Sequence, residues 1–224
     1  MTGGIGAEPH LSPRRPSHAR GASRRLAALA VVHAGRRGHC LHAIGGCGNP
    51  VARDAFRFGL YTGMRRAEVF GLTGIRTPER GWAWIPSCSA SRYQDRRAAG
   101  VFRYPPARRH LERRLAEREH FSERSRRWVF PSDISKAGHL EGVQYLNARI
   151  GEAGGAWFWF HALRNCFITV ADRELMLPAS LTKRLVNHAR SQDVTEGYAA
   201  DWTMDQLRES AQKIADRIDL LTSA

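Results

Sequence analysis

Residues 160 to 174, opening Phe160-His161-Ala162-Leu163-Arg164, constrain this chain more than any other stretch. At ~100° per residue, a helix over them places Leu163, Phe167 and Val170 on one stripe, the pattern of a buried helical face. His161 and Arg164 fall on a different face. One helix is therefore expected to bury its apolar side and hold an imidazole and a guanidinium side by side toward a groove. Leu185-Val186-Asn187-His188 and a lone Tyr198 follow. Together these residues form a set suited to a phosphate.

The charge balance points the same way. Against 21 acidic residues stand 35 basic ones, giving a formal charge of +14 and a pI near 10.8. Such an excess implies a polyanionic partner, nucleic acid ahead of a membrane surface. All but Lys136, Lys183 and Lys213 of the basic side chains are arginines. Guanidinium suits bidentate phosphate contacts, and a GC-rich coding sequence produces the same bias. At 224 residues, 42% of them hydrophobic, there is room for one sizeable domain or a domain with a tail.

Four cysteines make no disulfide framework in a chain this long, so reduced thiols are expected. His39, Cys40, His42 and Cys47 lie close together without the ligand spacing of a zinc finger or ribbon. The longest apolar run, Leu26 to Val32, is too short to span a bilayer, and its basic flank and small apolar core do not suit an export signal.

Taken in order, residues 1 to 48 are rich in Arg, Gly, Pro, Ala and His without a sustained period. They read as a basic arm for DNA phosphates or as a disordered or degenerate leader. Asn49-Pro50 marks the start of the folded part, Pro50 suiting a first helical turn. Val51 to Tyr61 fits a buried helix ended by Gly63, and Arg65 and Glu68 are spaced to pair on the next. Trp82 to Pro86 and Val101 to Tyr104 look like strands joined across the polar stretch 87 to 100. Leu111 to Glu119 reads as a charged helix, Trp128 to Pro131 as a short buried strand or turn, and Leu140 to Ile150 as a helix. Pro178 can open another, with Leu181 and Leu185 on one face. Asp193 to Glu196 and Thr203 to Gln206 have the form of N-terminal caps, the first placing Tyr198 in a short helix. The last helix carries an apolar seam of Leu207, Ala211, Ile214, Ile218 and Leu221, which needs a surface in this molecule or on a neighbour.

These residues resemble the catalytic domain of the tyrosine recombinases, the phage-integrase family. Thr62-Gly63-Met64-Arg65-Arg66-Ala67-Glu68 resembles the first box, and His161-Ala162-Leu163-Arg164 the His-x-Leu-Arg box. Leu185 to His188 resembles the Leu-Gly-His element, and Asp193 to Tyr198 the nucleophile segment. The resemblance runs from about Asn49 to the end, so residues 49 to 224 are expected to be the catalytic domain. It implies an α+β, mostly helical fold with a small antiparallel β-sheet, double-stranded DNA as partner, no cofactor or metal, no membrane, and a cytoplasmic, nucleoid-associated location. It implies Tyr198 as nucleophile, Arg65, Arg164, His161 and His188 around the phosphate, Glu68 as support for Arg65, and a C-terminal helix that docks on a neighbouring protomer on DNA.

Two departures from the family pattern are visible. The family holds a general-acid lysine in a β-hairpin between the first two boxes, and here that region contains none. Arg92, Arg96 and Arg97 stand there instead, and a guanidinium of pKa above ~12 is a poor proton donor. Lys136 lies in a later loop and serves only if that loop reaches the site. The small helical domain that normally precedes the catalytic one is also not recognisable. The expected activity is thus strand transfer, in integration or excision of a mobile element, with two alternatives: an impaired, DNA-binding remnant, or type IB topoisomerase-like strand passage.

Overall fold

Asn49 and Pro50 begin the central helix for a chemical reason. Asn49 adopts extended backbone (φ −95°, ψ 107°) and its Oδ1 accepts the Ala52 N–H at 3.1 Å, while Pro50 occupies a position whose N–H would have no partner. The computed structural model describes residues 38–77, 81–86, 105–154, 158–186 and 202–223. Within them, a short helix α1 (Gly38–Gly45) precedes this central helix, α2 (Pro50–Thr62). Then come α3 (Arg66–Phe70), strands β1 (Leu72–Thr77) and β2 (Gly81–Pro86), α4 (Pro105–Glu117) and α5 (Glu123–Arg126). α6 (Gln144–Gly154), α7 (His161–Thr169), α8 (Ala179–Leu185) and α9 (Met204–Ser223) complete the described order, which is mostly helical.

α2 is buried almost all round, through Val51, Ala52, Ala55, Phe56, Phe58 and Leu60, so it acts as the axis of the core. It touches α1, α3, α4, α7 and α9. Gly59 lets α7 come close: a Cβ there would lie 2.6 Å from Phe160 Cζ. The Phe160 ring in turn meets Phe56 and Phe70 edge-on, at centroid distances of 5.0 and 5.1 Å. That pins the start of α7 to both α2 and α3.

Several expectations are corrected. The fold does not wait for Asn49, because α1 packs on α2 and α6 and Ile44 is only 1% exposed. A helix this short persists through such packing rather than through propensity, so the basic leader cannot extend to residue 48. The strand at 82–86 pairs with a preceding one that the sequence does not announce, from Thr77↔Gly81 to Leu72↔Pro86; the expected partner at 101–104 lies outside the described residues. A neighbour in sequence costs less closure entropy. α4 starts at Pro105, ahead of the expected Leu111. Trp128 makes an isolated bridge to Thr73, and Pro131 one to His139.

The seam of α9 finds its surface within this chain. Leu207, Ala211, Ile214 and Ile218 are all buried, and α9 touches α2, α4, α8 and the π-helical segment Val170–Glu174 that continues α7. The cap expected before it is present, with Thr203 N–H donating to Gln206 Oε1 at 2.9 Å and Gln206 N–H to Thr203 Oγ1 at 3.2 Å. Within this chain the seam is thus covered at Leu207, Ala211, Ile214 and Ile218, while Leu221 is only partly buried. No described helix is long and apolar enough to cross a membrane.

A charged knot joins α2 to α4. The fully buried Asp54 meets His110 Nδ1 and Arg113 Nη1 at 3.1 Å each through Oδ1, and Arg114 Nε at 2.8 Å through Oδ2. Burial pushes the Asp54 carboxyl up, but the His110 hydrogen bond and the Arg114, His110 and Arg113 charges outweigh it and hold the pKa below the ordinary value. A carboxylate of lowered folded pKa stabilises fully above its unfolded pKa and loses that contribution as pH falls through the folded one.

Two outcomes follow for urea denaturation. Asp54→Ala removes from the buried Arg114 one of its two carboxylate partners and should cost ~3–5 kcal/mol, with a shallower loss of stability below about pH 4 than the parent shows. Ile214→Asp places a carboxylate in the core and should unfold the domain, whereas a seam reserved for a neighbour would leave the monomer folded.

Candidate functional site

The turn between α2 and α3 brings Arg65 to the surface. α2 ends in a left-handed residue, Gly63 (φ 63°, ψ 14°), whose N–H returns to Gly59 O at 3.0 Å. Thr62 Oγ1 donates to Phe58 O at 2.7 Å, and Met64 is buried, so the chain leaves the helix in one direction. Arg65 is then the N-cap of α3. The nearly buried Glu68 accepts the Arg65 backbone N–H through Oε2 at 2.7 Å and its Nη1 through Oε1 at 3.0 Å. The Arg65 side chain stays 45% exposed. Its fork is therefore oriented from behind by a carboxylate and directed outward.

α7 carries the second group. Leu163, Phe167 and Val170 are buried on its inner face, and His161 is exposed at its first turn. Arg164 corrects the expectation that it accompanies His161 into a groove. Only 1% exposed, it donates from Nη1 to Gly63 O at 2.7 Å and from Nη2 to Val186 O at 2.6 Å. The inward turn has a geometric cause: the two carbonyls come from the end of α2 and the end of α8, each left open where a helix stops. One guanidinium fork spans both.

Its two partners lie 101 and 22 residues away in sequence. Gly63 opens the segment that presents Arg65, and Val186 immediately precedes Asn187 and His188. Three sequence segments are thus tied at one point. Packing repeats the tie, since a Cβ on Gly63 would stand 2.8 Å from Phe167 Cδ1 and 3.1 Å from Val186 Cγ1. The carbonyls of Gly63 and Val186 carry no sequence signature, because any residue supplies one; Gly63 itself was readable as the helix terminator.

Lys136 is exposed in the loop that the Pro131–His139 bridge closes. Arg124 Nη2 anchors that loop by donating to Asp133 O at 3.1 Å and Ser135 O at 3.2 Å. His188, Tyr198, Arg92 and the cap at 193–196 lie outside the described residues. Among the described residues no group of three or more His, Cys, Asp or Glu is placed to hold a metal.

Gly63→Ala should destabilise by ~2 kcal/mol or more, because it combines left-handed strain with overlap on Phe167. Arg164→Lys, unable to bridge two carbonyls, should cost ~2–5 kcal/mol in the same urea experiment. An Arg164 that served only an external phosphate would leave stability unchanged on replacement. Comparisons with family models, with curated proteins and with solved structures return no match for this chain.

Proposed function

We propose that this chain is a DNA strand transferase of the tyrosine-recombinase type, cutting and rejoining DNA in the integration or excision of a mobile element. The observation that carries the reading is the convergence on Arg164: the Arg65 turn, the His161 helix and the segment entering His188 meet at one buried guanidinium. These are the segments whose order in sequence resembles the family's boxes. The net charge of +14 supports a DNA partner and, with it, a nucleoid-associated location.

In this reading the Tyr198 oxygen attacks a backbone phosphorus, the phenol proton passing to His161 or to solvent. The bond to the 5′-oxygen breaks, leaving a 3′-phosphotyrosyl link and, once the oxygen gains a proton, a free 5′-hydroxyl. The bond energy is kept for rejoining. Arg65, oriented by Glu68, stabilises the charge on the non-bridging oxygens, and His188 donates to the phosphate. Arg164 holds the segments that carry these groups. Lys136 is the better acid for the departing oxygen if its loop reaches the site on DNA, since a guanidinium such as Arg92 releases its proton poorly at neutral pH.

A second reading, DNA binding without strand transfer, is favoured by the burial of Arg164, whose Nη1 and Nη2 already serve carbonyls. Nicked duplexes built from the DNA flanking the gene separate the two. A denaturant-resistant protein–DNA adduct is expected, absent in Tyr198→Phe and slowed ~10²–10³-fold in Arg65→Ala. Salt-sensitive binding with no adduct on any flanking site would leave the second reading standing and overturn the first.

A further inference from the structure

A different cluster of arginines lies between α2, α4 and the last turns of α9. These elements enclose a polar concavity of about 310 Å³. Arg57 and Tyr61 are four residues apart on α2, and Arg109 and Arg113 four apart on α4, so each helix presents a stacked pair to the same space. Ile218 and Leu60 supply apolar floor, and Asp219 stands at the α9 side.

The charges do not balance. Among the described residues, three guanidiniums line the space against one carboxylate, that of Asp219, which already accepts the Tyr61 hydroxyl. Arg113 is held from behind by Asp54 at 3.1 Å while its side chain remains 41% exposed. Arg109 is exposed, Arg57 is half-buried, and neither has an ion-pair partner among the described residues. Low-dielectric walls bearing one sign of charge concentrate anions, and guanidinium forks match phosphate oxygens in geometry. The volume stands at the lower end of the ~300–1,000 Å³ typical of small-ligand sites. It is ample for a phosphate and its immediate substituent.

We propose that this concavity is a phosphate seat separate from the Arg65 site, with Arg57, Arg109 and Arg113 as its ligands. The phosphate is either one phosphodiester of a DNA backbone or the phosphate of a small free molecule. The seat does not depend on strand transfer, because neither Arg65 nor His161 lines it.

The test uses the full chain, the double variant R57Q/R109Q, the exposed single variant R109Q in case the double misfolds, and R108Q as a charge control. Arg108 pairs with Glu112 at 2.5 Å and does not line the space. Two measurements are made on each. One is the slope of log K for a duplex against log salt. The other is the rate at which phenylglyoxal modifies Arg57 and Arg109, mapped by mass spectrometry, with duplex, inorganic phosphate or chloride present at equal ionic strength.

A backbone seat lowers the slope by about 1 in the double variant and not in R108Q, and duplex slows the modification. A free-phosphate seat leaves the slope at the parent value, while inorganic phosphate, unlike chloride, slows modification of both arginines. Unchanged slope together with no protection by either phosphate source overturns the proposal. The inorganic phosphate arm needs no DNA, so failure of the strand-transfer reading and failure of this one give different results.

Discussion

The hydrogen bonds from Arg164 to Gly63 and Val186 are the constraint on which the arrangement of the candidate site depends. A buried guanidinium is costly to desolvate, and it persists where carbonyl oxygens replace the water it loses. Both acceptors lie where a helix ends and its last carbonyls need donors, so one side chain answers two terminations. The consequence is positional. The Arg65 turn cannot drift from α7 without breaking a bond to a buried charge, and the end of α8 is held by the same group.

Arg65 and Arg164 show how burial divides the work of two like residues. Arg65, 45% exposed, is oriented by a carboxylate three residues ahead of it in α3; Arg164, at 1%, is oriented by backbone. A surface ion pair of this spacing contributes little to stability. Its value is geometric, since Glu68 is itself nearly buried and therefore fixed. Removing Arg164 from the core is an energetic event. Removing Arg65 touches mainly what binds outside.

Much of the helical framework was legible. Asn49-Pro50 and Gly63 bound α2 because caps act through local chemistry, and the Leu163, Phe167 and Val170 stripe identified the buried side of α7 through its period alone. What failed was long-range. Helical spacing could place Arg164 on a face, but its inward turn required knowing that two carbonyls converge there. The stretch Leu111 to Glu119 reads simply as a charged helix, whereas Arg114, and His110 just before the stretch, point inward to Asp54. A binary pattern assigns charge to the surface and cannot see a buried partner 56 residues away. The partner of the strand at 82–86 was missed because residues 72–77 carry little of the alternation that marks a strand.

The excess of arginine acquires a structural meaning from these cases. Some of it is internal: Arg114 and Arg164 stabilise by joining elements, and replacing either with lysine would surrender the fork that reaches two groups at once. Some is external: Arg57 and Arg109 lack an ion-pair partner among the described residues, and Arg65 is held by a carboxylate while still half outside. A coding bias toward arginine would supply both kinds without distinction. It would not by itself place a buried acceptor beside the first kind or cluster the second around one concavity. Net charge therefore says only that an anion is attracted, while the separation of buried from exposed guanidiniums says which residues can meet it.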